Sequence, residues 1–200
     1  MPAATGGAAR GAAGSVGGGA GPSTRRAVVP GWVGELTRLE ALEISGGEGY
    51  EGNTFLKALP ASLGRLGQLK QLTLRRLELE AMPDLVGLTA LDSLTIRSCV
   101  KIKTLPASIG RLEALKRLTL DVLDQLREIP DPIGLTALDS LVIVDCFNIQ
   151  ALPRGIGKLG ALTQLTLDRL AELQEIPDLI GLTAPGFLQI RSCDKIKAHI

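Results

Sequence analysis

Two strings alternate along this chain, and together they leave few folds open. The first ends in cysteine: Leu94-Thr-Ile-Arg-Ser-Cys99, Leu141-Val-Ile-Val-Asp-Cys146 and Leu188-Gln-Ile-Arg-Ser-Cys193, with 47 residues between successive cysteines. The second ends in leucine: Leu72-Thr-Leu-Arg-Arg-Leu77, Leu118-Thr-Leu-Asp-Val-Leu123 and Leu165-Thr-Leu-Asp-Arg-Leu170. An apolar residue followed by proline recurs at 59–60, 82–83, 105–106, 129–130, 152–153 and 176–177, splitting the interval into half-periods of 23 or 24 residues. Units this short cannot bury an apolar face alone. They become stable by stacking, so the chain is a solenoid.

One unit, Leu115 to Gly134, shows how. Leu118-x-Leu120 alternates with the period of a short strand buried on one side. Leu123, Leu126 and Ile129 follow at intervals of three, turning the chain while sending an apolar side chain inward each time, and Pro130 ends that turn. Ile133-Gly134-Leu135 and Leu138 supply the apolar contacts of the return path. Stacked units join these strands into a parallel sheet over a continuous core. The strands are expected at 39–44, 69–74, 91–96, 115–120, 138–143, 162–167 and 187–190. Only 2% of the chain is aromatic, so aliphatic side chains must build the core.

The units resemble the leucine-rich-repeat family from about Val29 onward. Its pattern Leu-x-x-Leu-x-Leu-x-x-Asn/Cys is filled by Leu91-x-x-Leu94-x-Ile96-x-x-Cys99 and Leu138-x-x-Leu141-x-Ile143-x-x-Cys146. Its tail, Leu-Pro-x-x-Ile-Gly-x-Leu, is filled by Leu105 to Leu112 and Leu152 to Leu159. This version is similar to the repeats of plant disease-resistance receptors and of intracellular Ras-suppressor-type scaffolds. The resemblance implies an α/β-type horseshoe solenoid with a parallel β-sheet on the concave face. Loops, 3-10 or short helical turns would line its convex face. About seven repeats fill 28–200, the last incomplete, because Pro185 stands where Leu138 and Leu91 stand earlier and the chain reaches Ala198-His199-Ile200 where a Leu-Pro is expected. Aligning Asn53 with the cysteines leaves six extra residues in the Gly-rich stretch after Ile44, expected to project from the rim.

Ahead of the array, residues 1–27 form a Gly/Ala-rich segment. Its first 26 residues hold 15 Gly or Ala, three Arg and no acid. Such a segment has little to bury and costly glycines to order, so it reads as a disordered tail. It lacks the apolar core of a secretory signal. The cytoplasm, or the nucleus, is the expected location, with organelle targeting through residues 1–27 as the alternative.

The cysteines invite a disulfide, metal or reactive-thiol reading. Consecutive ones lie two rungs apart, roughly 10 Å at about 4.8 Å per rung. Disulfides need Cα atoms within about 7 Å, and zinc gathers its ligands around one point. The ladder forbids both. The resemblance instead implies loop residues turned inward after the strand, in the place that Leu77, Leu123 and Leu170 fill in the alternate units, and that reading implies a reducing compartment.

Catalytic motifs are not found. His199 is the single histidine, which excludes an internal histidine-dependent acid–base pair or triad. Gly155-Ile-Gly157-Lys158-Leu159 lacks the first glycine of a phosphate loop and has leucine where a hydroxyl would bind magnesium. Gly14 to Gly21 has neither a preceding strand nor dinucleotide-loop spacing. Asp84, Asp131 and Asp178 each follow proline at the same repeat position and read as solvated turn residues. The expected protein is no enzyme and takes no cofactor or metal.

Net charge is +1, which gives no strong pull toward nucleic acid or an anionic membrane. No apolar run is long enough for a membrane span. The concave face remains as the place for a protein partner. Its outward strand positions form three rows: Ala41, Gln71, Ser93, Arg117, Ser140, Gln164 and Phe187; then Glu43, Thr73, Thr95, Thr119, Val142, Thr166 and Gln189; then Ser45, Arg75, Arg97, Asp121, Val144, Asp168 and Arg191. Threonine in the middle row follows from strand propensity alone. Val142 and Val144 stand out, with Arg97, Arg117, Asp121 and Asp168 as a charged rim, the anatomy of a protein-binding patch. The sequence thus points to an interaction module, for which the resemblance implies a setting in signalling or immune-type recognition. The alternative is a structural fragment or duplicated product that self-associates through its C-terminal edge or belongs to a larger receptor.

Overall fold

The computed structural model describes residues 28–46, 56–182 and 186–197. The Gly/Ala-rich segment, the extra loop residues around Asn53, Pro185 and the last three residues all lie outside them. Seven strands form one sheet: β1 (Ala41–Ser45), β2 (Gln71–Arg75), β3 (Ser93–Arg97), β4 (Arg117–Asp121), β5 (Ser140–Val144), β6 (Gln164–Asp168) and β7 (Phe187–Arg191). They pair in chain order, all parallel. This is the expected solenoid.

The first six strands start two residues later than expected, while β7 starts at Phe187 as expected, and the hydrogen bonds show why. The first leucine of each motif points inward but still belongs to the preceding turn. Leu69 N–H donates to the Leu66 carbonyl at 2.9 Å, and Leu115 N–H to that of Leu112 at 2.9 Å. The ladder starts only once the chain has straightened. At their far ends the strands run through the third outward row before bending.

The bend has one geometry at successive rungs. Arg76, Ser98, Val122, Asp145, Arg169 and Ser192 each directly follow a strand and take φ between 49° and 55°. That conformation costs an L-residue roughly 1–2 kcal/mol. In the first five a hydrogen bond offsets it, because the N–H reaches the last carbonyl of the next strand: Ser98 to Asp121 at 2.8 Å, Val122 to Val144 at 3.1 Å, Asp145 to Asp168 at 3.1 Å. The neighbouring rung therefore helps hold each of these bends.

The convex side alternates between two turns. After Pro30, Pro60, Pro106 and Pro153 come the 3-10 turns Gly31–Glu35, Ala61–Arg65, Ala107–Arg111 and Arg154–Lys158. Proline fixes φ near the value needed to enter such a turn. After Pro83, Pro130 and Pro177 an aspartate replaces that turn with a tighter one. The Oδ1 of Asp84, Asp131 and Asp178 accepts the N–H of Val86 (2.9 Å), Ile133 (3.2 Å) and Ile180 (2.9 Å). These turns interlock closely. A Cβ on Gly134 would lie 2.4 Å from the Gly110 carbonyl oxygen, so only glycine fits there.

The core is one aliphatic column running through the array, including Leu94 and Ile96, Leu118 and Leu120, Leu141 and Ile143, Leu165 and Leu167. Leu135 and Leu138 join it as expected. Ile133 does not: it is exposed, as are Val86 and Ile180 at the same repeat position. The Asp-capped turn points this residue outward while its neighbours, Leu85 and Leu135, face in.

Candidate protein-binding face

The sheet register places the three outward rows as the sequence pattern implies. Arg117 pairs with Ser140, Thr119 with Val142 and Asp121 with Val144, then Val144 with Asp168. Asp121, Val144 and Asp168 are thus consecutive register partners on β4, β5 and β6. Val142 lies two residues before Val144 on the same face. Both valines are half-buried, and so are the two aspartates.

The structure does not gather all six candidate residues. Arg97 joins the group from β3, with Nε 2.7 Å from Asp121 Oδ2. Arg117 does not join. It stands in the first row, and its guanidinium binds Asp92 Oδ2 at 2.6 Å, ahead of β3. Lys116 holds the other oxygen of Asp92 at 3.3 Å. Burial raises the Asp92 carboxyl, but Lys116 and Arg117 together outweigh it and leave the group below the ordinary carboxylate range. Arg117 is a structural cross-link between rungs. Among the described residues Asp168 has no cation within ion-pairing distance, and Arg191, its register partner, is placed to donate to the Gln189 side-chain oxygen.

One exposed aromatic residue escaped the strand pattern. Phe147 follows Cys146 in the loop leaving β5 and is exposed. The signal lay in the repeat: Val100, also exposed, follows Cys99 at the same position. The fifth rung thus carries Val142 and Val144 on its strand and Phe147 just beyond. The equivalent residues of the third rung are Thr95, Arg97 and Val100.

The cysteines behave as loop residues. Cys99 and Cys146 are free and buried, and Cys193 is free and half-buried. The Cys146 thiol donates to the Val144 carbonyl at 3.4 Å, that of Cys99 to Arg97 at 3.5 Å and that of Cys193 to Arg191 at 3.2 Å. Burial pushes Cys146 up to about 12; the Leu123 backbone opposes the rise, while the charges of Asp121, Asp145 and Asp124 add to it. Burial likewise raises Cys99 and Cys193. Thiols buried as fully as Cys99 and Cys146 are poor nucleophiles and poor metal ligands. Among the described residues no group of histidine, cysteine or carboxylates is placed to hold a metal ion. No helix among them is long and apolar enough to cross a membrane.

Searches against family models and against curated proteins find no match. Solved structures do match in fold. A chain in the crystal structure of PEPR1–AtPEP1 is 18% identical, with a TM-score of 0.52, over 84% of this chain and 27% of that one. The leucine-rich-repeat domain of the type III effector XopL is 23% identical, with a TM-score of 0.44, over 82% and 72%. An internalin from Listeria monocytogenes is 15% identical, with a TM-score of 0.39, over 86% and 70%. At these identities the likeness concerns the fold alone. The chain spans about a quarter of the PEPR1 chain. Strand order, register and repeat pattern agree with that likeness: the fold is the leucine-rich-repeat solenoid.

Proposed function

We propose that this leucine-rich-repeat solenoid is a non-catalytic interaction module that binds a protein partner on its concave sheet, centred on the fifth rung. The observation that carries the reading is the row Asp121–Val144–Asp168, with Val142 beside it and Phe147 at its margin. Apolar side chains inside a charged border fit a protein interface, where partly desolvated apolar and aromatic groups supply most of the affinity. The partner's contacts centre on Val144, and Asp168 offers it an uncommitted carboxylate. Arg97 keeps Asp121 in place.

Signalling or immune-type recognition is the setting we assign to that binding, on the resemblance of the Leu-Pro-x-x-Ile-Gly repeats to those of plant disease-resistance receptors. A reducing, cytoplasmic location suits three unpaired cysteines. Affinity purification from the native source, followed by mass spectrometry, identifies the partner. Val144→Asp then weakens its capture by at least about 2 kcal/mol, the loss expected at an interface centre. Circular dichroism checks that the fold is intact. Capture equal to wild type by a folded Val144→Asp protein places the interface elsewhere.

A further inference from the structure

Four carboxylates border the fifth rung, and only two of them are answered by a base. Asp121 ends β4, Asp168 ends β6, Asp145 forms the bend after β5, and Asp124 follows Leu123 in the loop leaving β4. All four are half-buried. Arg97 holds Asp121 at 2.7 Å and Arg169 holds Asp145 at 2.6 Å. Among the described residues no base lies within ion-pairing distance of Asp124 or Asp168. Arg191, the register partner of Asp168, is placed to donate to the Gln189 side-chain oxygen instead. Asp124 Oδ1 is buried and accepts no hydrogen bond. A carboxylate drawn partly out of water without a counter-charge gains from a cation that a partner brings.

The open carboxylates stand beside the apolar residues of that rung. Asp168 is the register partner of Val144. Asp124 holds the position of Phe147 one rung earlier, since each directly follows an inward loop residue, Leu123 or Cys146. The Asn148 side chain donates to the Asp124 backbone carbonyl, which sets the two loops against each other there. Val144 therefore has an open carboxylate on its β6 side, and Phe147 has one on its β4 side. Burial first, then the charges of Asp121, Asp145 and Asp124, raise the Cys146 thiol, so the negative groups gather around this one rung. Toward the start of the array the same outward row is basic, with Arg75 on β2 and Arg97 on β3.

With the fifth rung as the binding site, a premise taken from the proposed function, we propose that the partner is a basic protein segment. It lays an apolar side chain against Val144 and Phe147 and brings a lysine or arginine to each of Asp168 and Asp124. The rungs set its pattern. Asp124 and Asp168 belong to rungs two steps apart, roughly 10 Å at about 4.8 Å per step. An extended chain advances about 3.3 Å per residue, so its two bases stand about three or more residues apart with the apolar residue between them. Nucleic acid or an anionic membrane would meet these carboxylates with like charge.

The probe is a phage-displayed library of random twelve-residue peptides, selected in parallel on the full chain and on four variants of it. These are Asp124→Asn, Asp168→Asn, Val144→Asp and Glu113→Gln, the last a control of equal charge change at an exposed site beyond the Ala107–Arg111 turn. Circular dichroism confirms that each is folded. Peptides recovered on the wild type are expected to carry two bases spaced as above around an apolar residue. The strongest is then labelled, and its anisotropy gives the affinity. Asp124→Asn and Asp168→Asn each weaken it about fivefold at low salt, the worth of one partly buried ion pair, and much less at about 1 M salt. Glu113→Gln leaves it unchanged. Peptides that need Val144 but show no basic preference overturn this partner and leave the binding face standing. Basic peptides that bind Val144→Asp as well as wild type overturn the face and the partner together. Recovery of no peptide above background, or affinity indifferent to salt and to both Asn variants, overturns the proposal as well.

Discussion

The fifth and seventh rungs are written in nearly the same letters and have different physical fates. Leu141-Val-Ile-Val-Asp-Cys146 and Leu188-Gln-Ile-Arg-Ser-Cys193 place leucine, isoleucine and cysteine identically. In the fifth rung Ile143 and Cys146 have no exposed surface, while in the seventh Ile190 is exposed and Cys193 is half-buried. The difference is the neighbour: among the described residues no strand follows β7. In a solenoid each rung is half of its neighbour's core, so burial is a property of the stack and not of the unit.

The largest test of this contrast is a pair of truncations. Ile143→Ala should cost about 2–5 kcal/mol, because it opens a cavity between two rungs. Ile190→Ala should cost less than about 1 kcal/mol, since much of its side chain already meets solvent. Urea unfolding of both variants at low protein concentration measures the difference. Equal costs would show that the last rung is covered as well as the central one.

Thiol labelling compares the same two rungs without changing their cores. With Cys146 raised to about 12, its thiolate at neutral pH is scarcer by about three orders of magnitude than that of an ordinary cysteine near pKa 8.5. Cys193 should therefore react with iodoacetamide in the native protein, and Cys99 and Cys146 only on unfolding. The sign with pH is upward, since alkylation needs the thiolate and raising the pH restores it. Native labelling of Cys146 as fast as Cys193 would mean that the fifth rung opens as readily as the edge.

The smallest expected effect concerns the bends. Val122 is a β-branched residue held at φ 55°, where asparagine is better tolerated. Val122→Asn should stabilise the protein by about 0.5 kcal/mol, part of the roughly 1–2 kcal/mol conformational cost. Ser192→Asn should change little, because no strand among the described residues follows to take its N–H. A thermal melt of each variant reads the shift.

Most of the fold was legible because a repeat states its own register many times over. The outward rows follow from the alternation and the inward cysteines from the family resemblance; the sheet pairing agrees with the first and the burial of Cys99 and Cys146 with the second. What spacing misread were the strand starts and Ile133. Leu115 looks like the first strand residue because it points inward, but its N–H is already spent on the Leu112 carbonyl. Ile133 looks like core because it is apolar, but Asp131 turns the chain so that it faces out. Of the candidate face, Val142, Val144, Asp121 and Asp168 fell together as the alternation implies. Arg117 was drawn off by Asp92, an ion pair between residues 25 apart that no local pattern contains.

Composition and period by themselves determined a parallel aliphatic stack, because units of 23 or 24 residues with few aromatic rings have no other way to bury leucine. Only the tertiary structure decided which leucines are buried, which arginines are committed and which strand is left open. Those outcomes depend on what each rung meets across a gap of about 4.8 Å, and that neighbour lies more than twenty residues away in the chain.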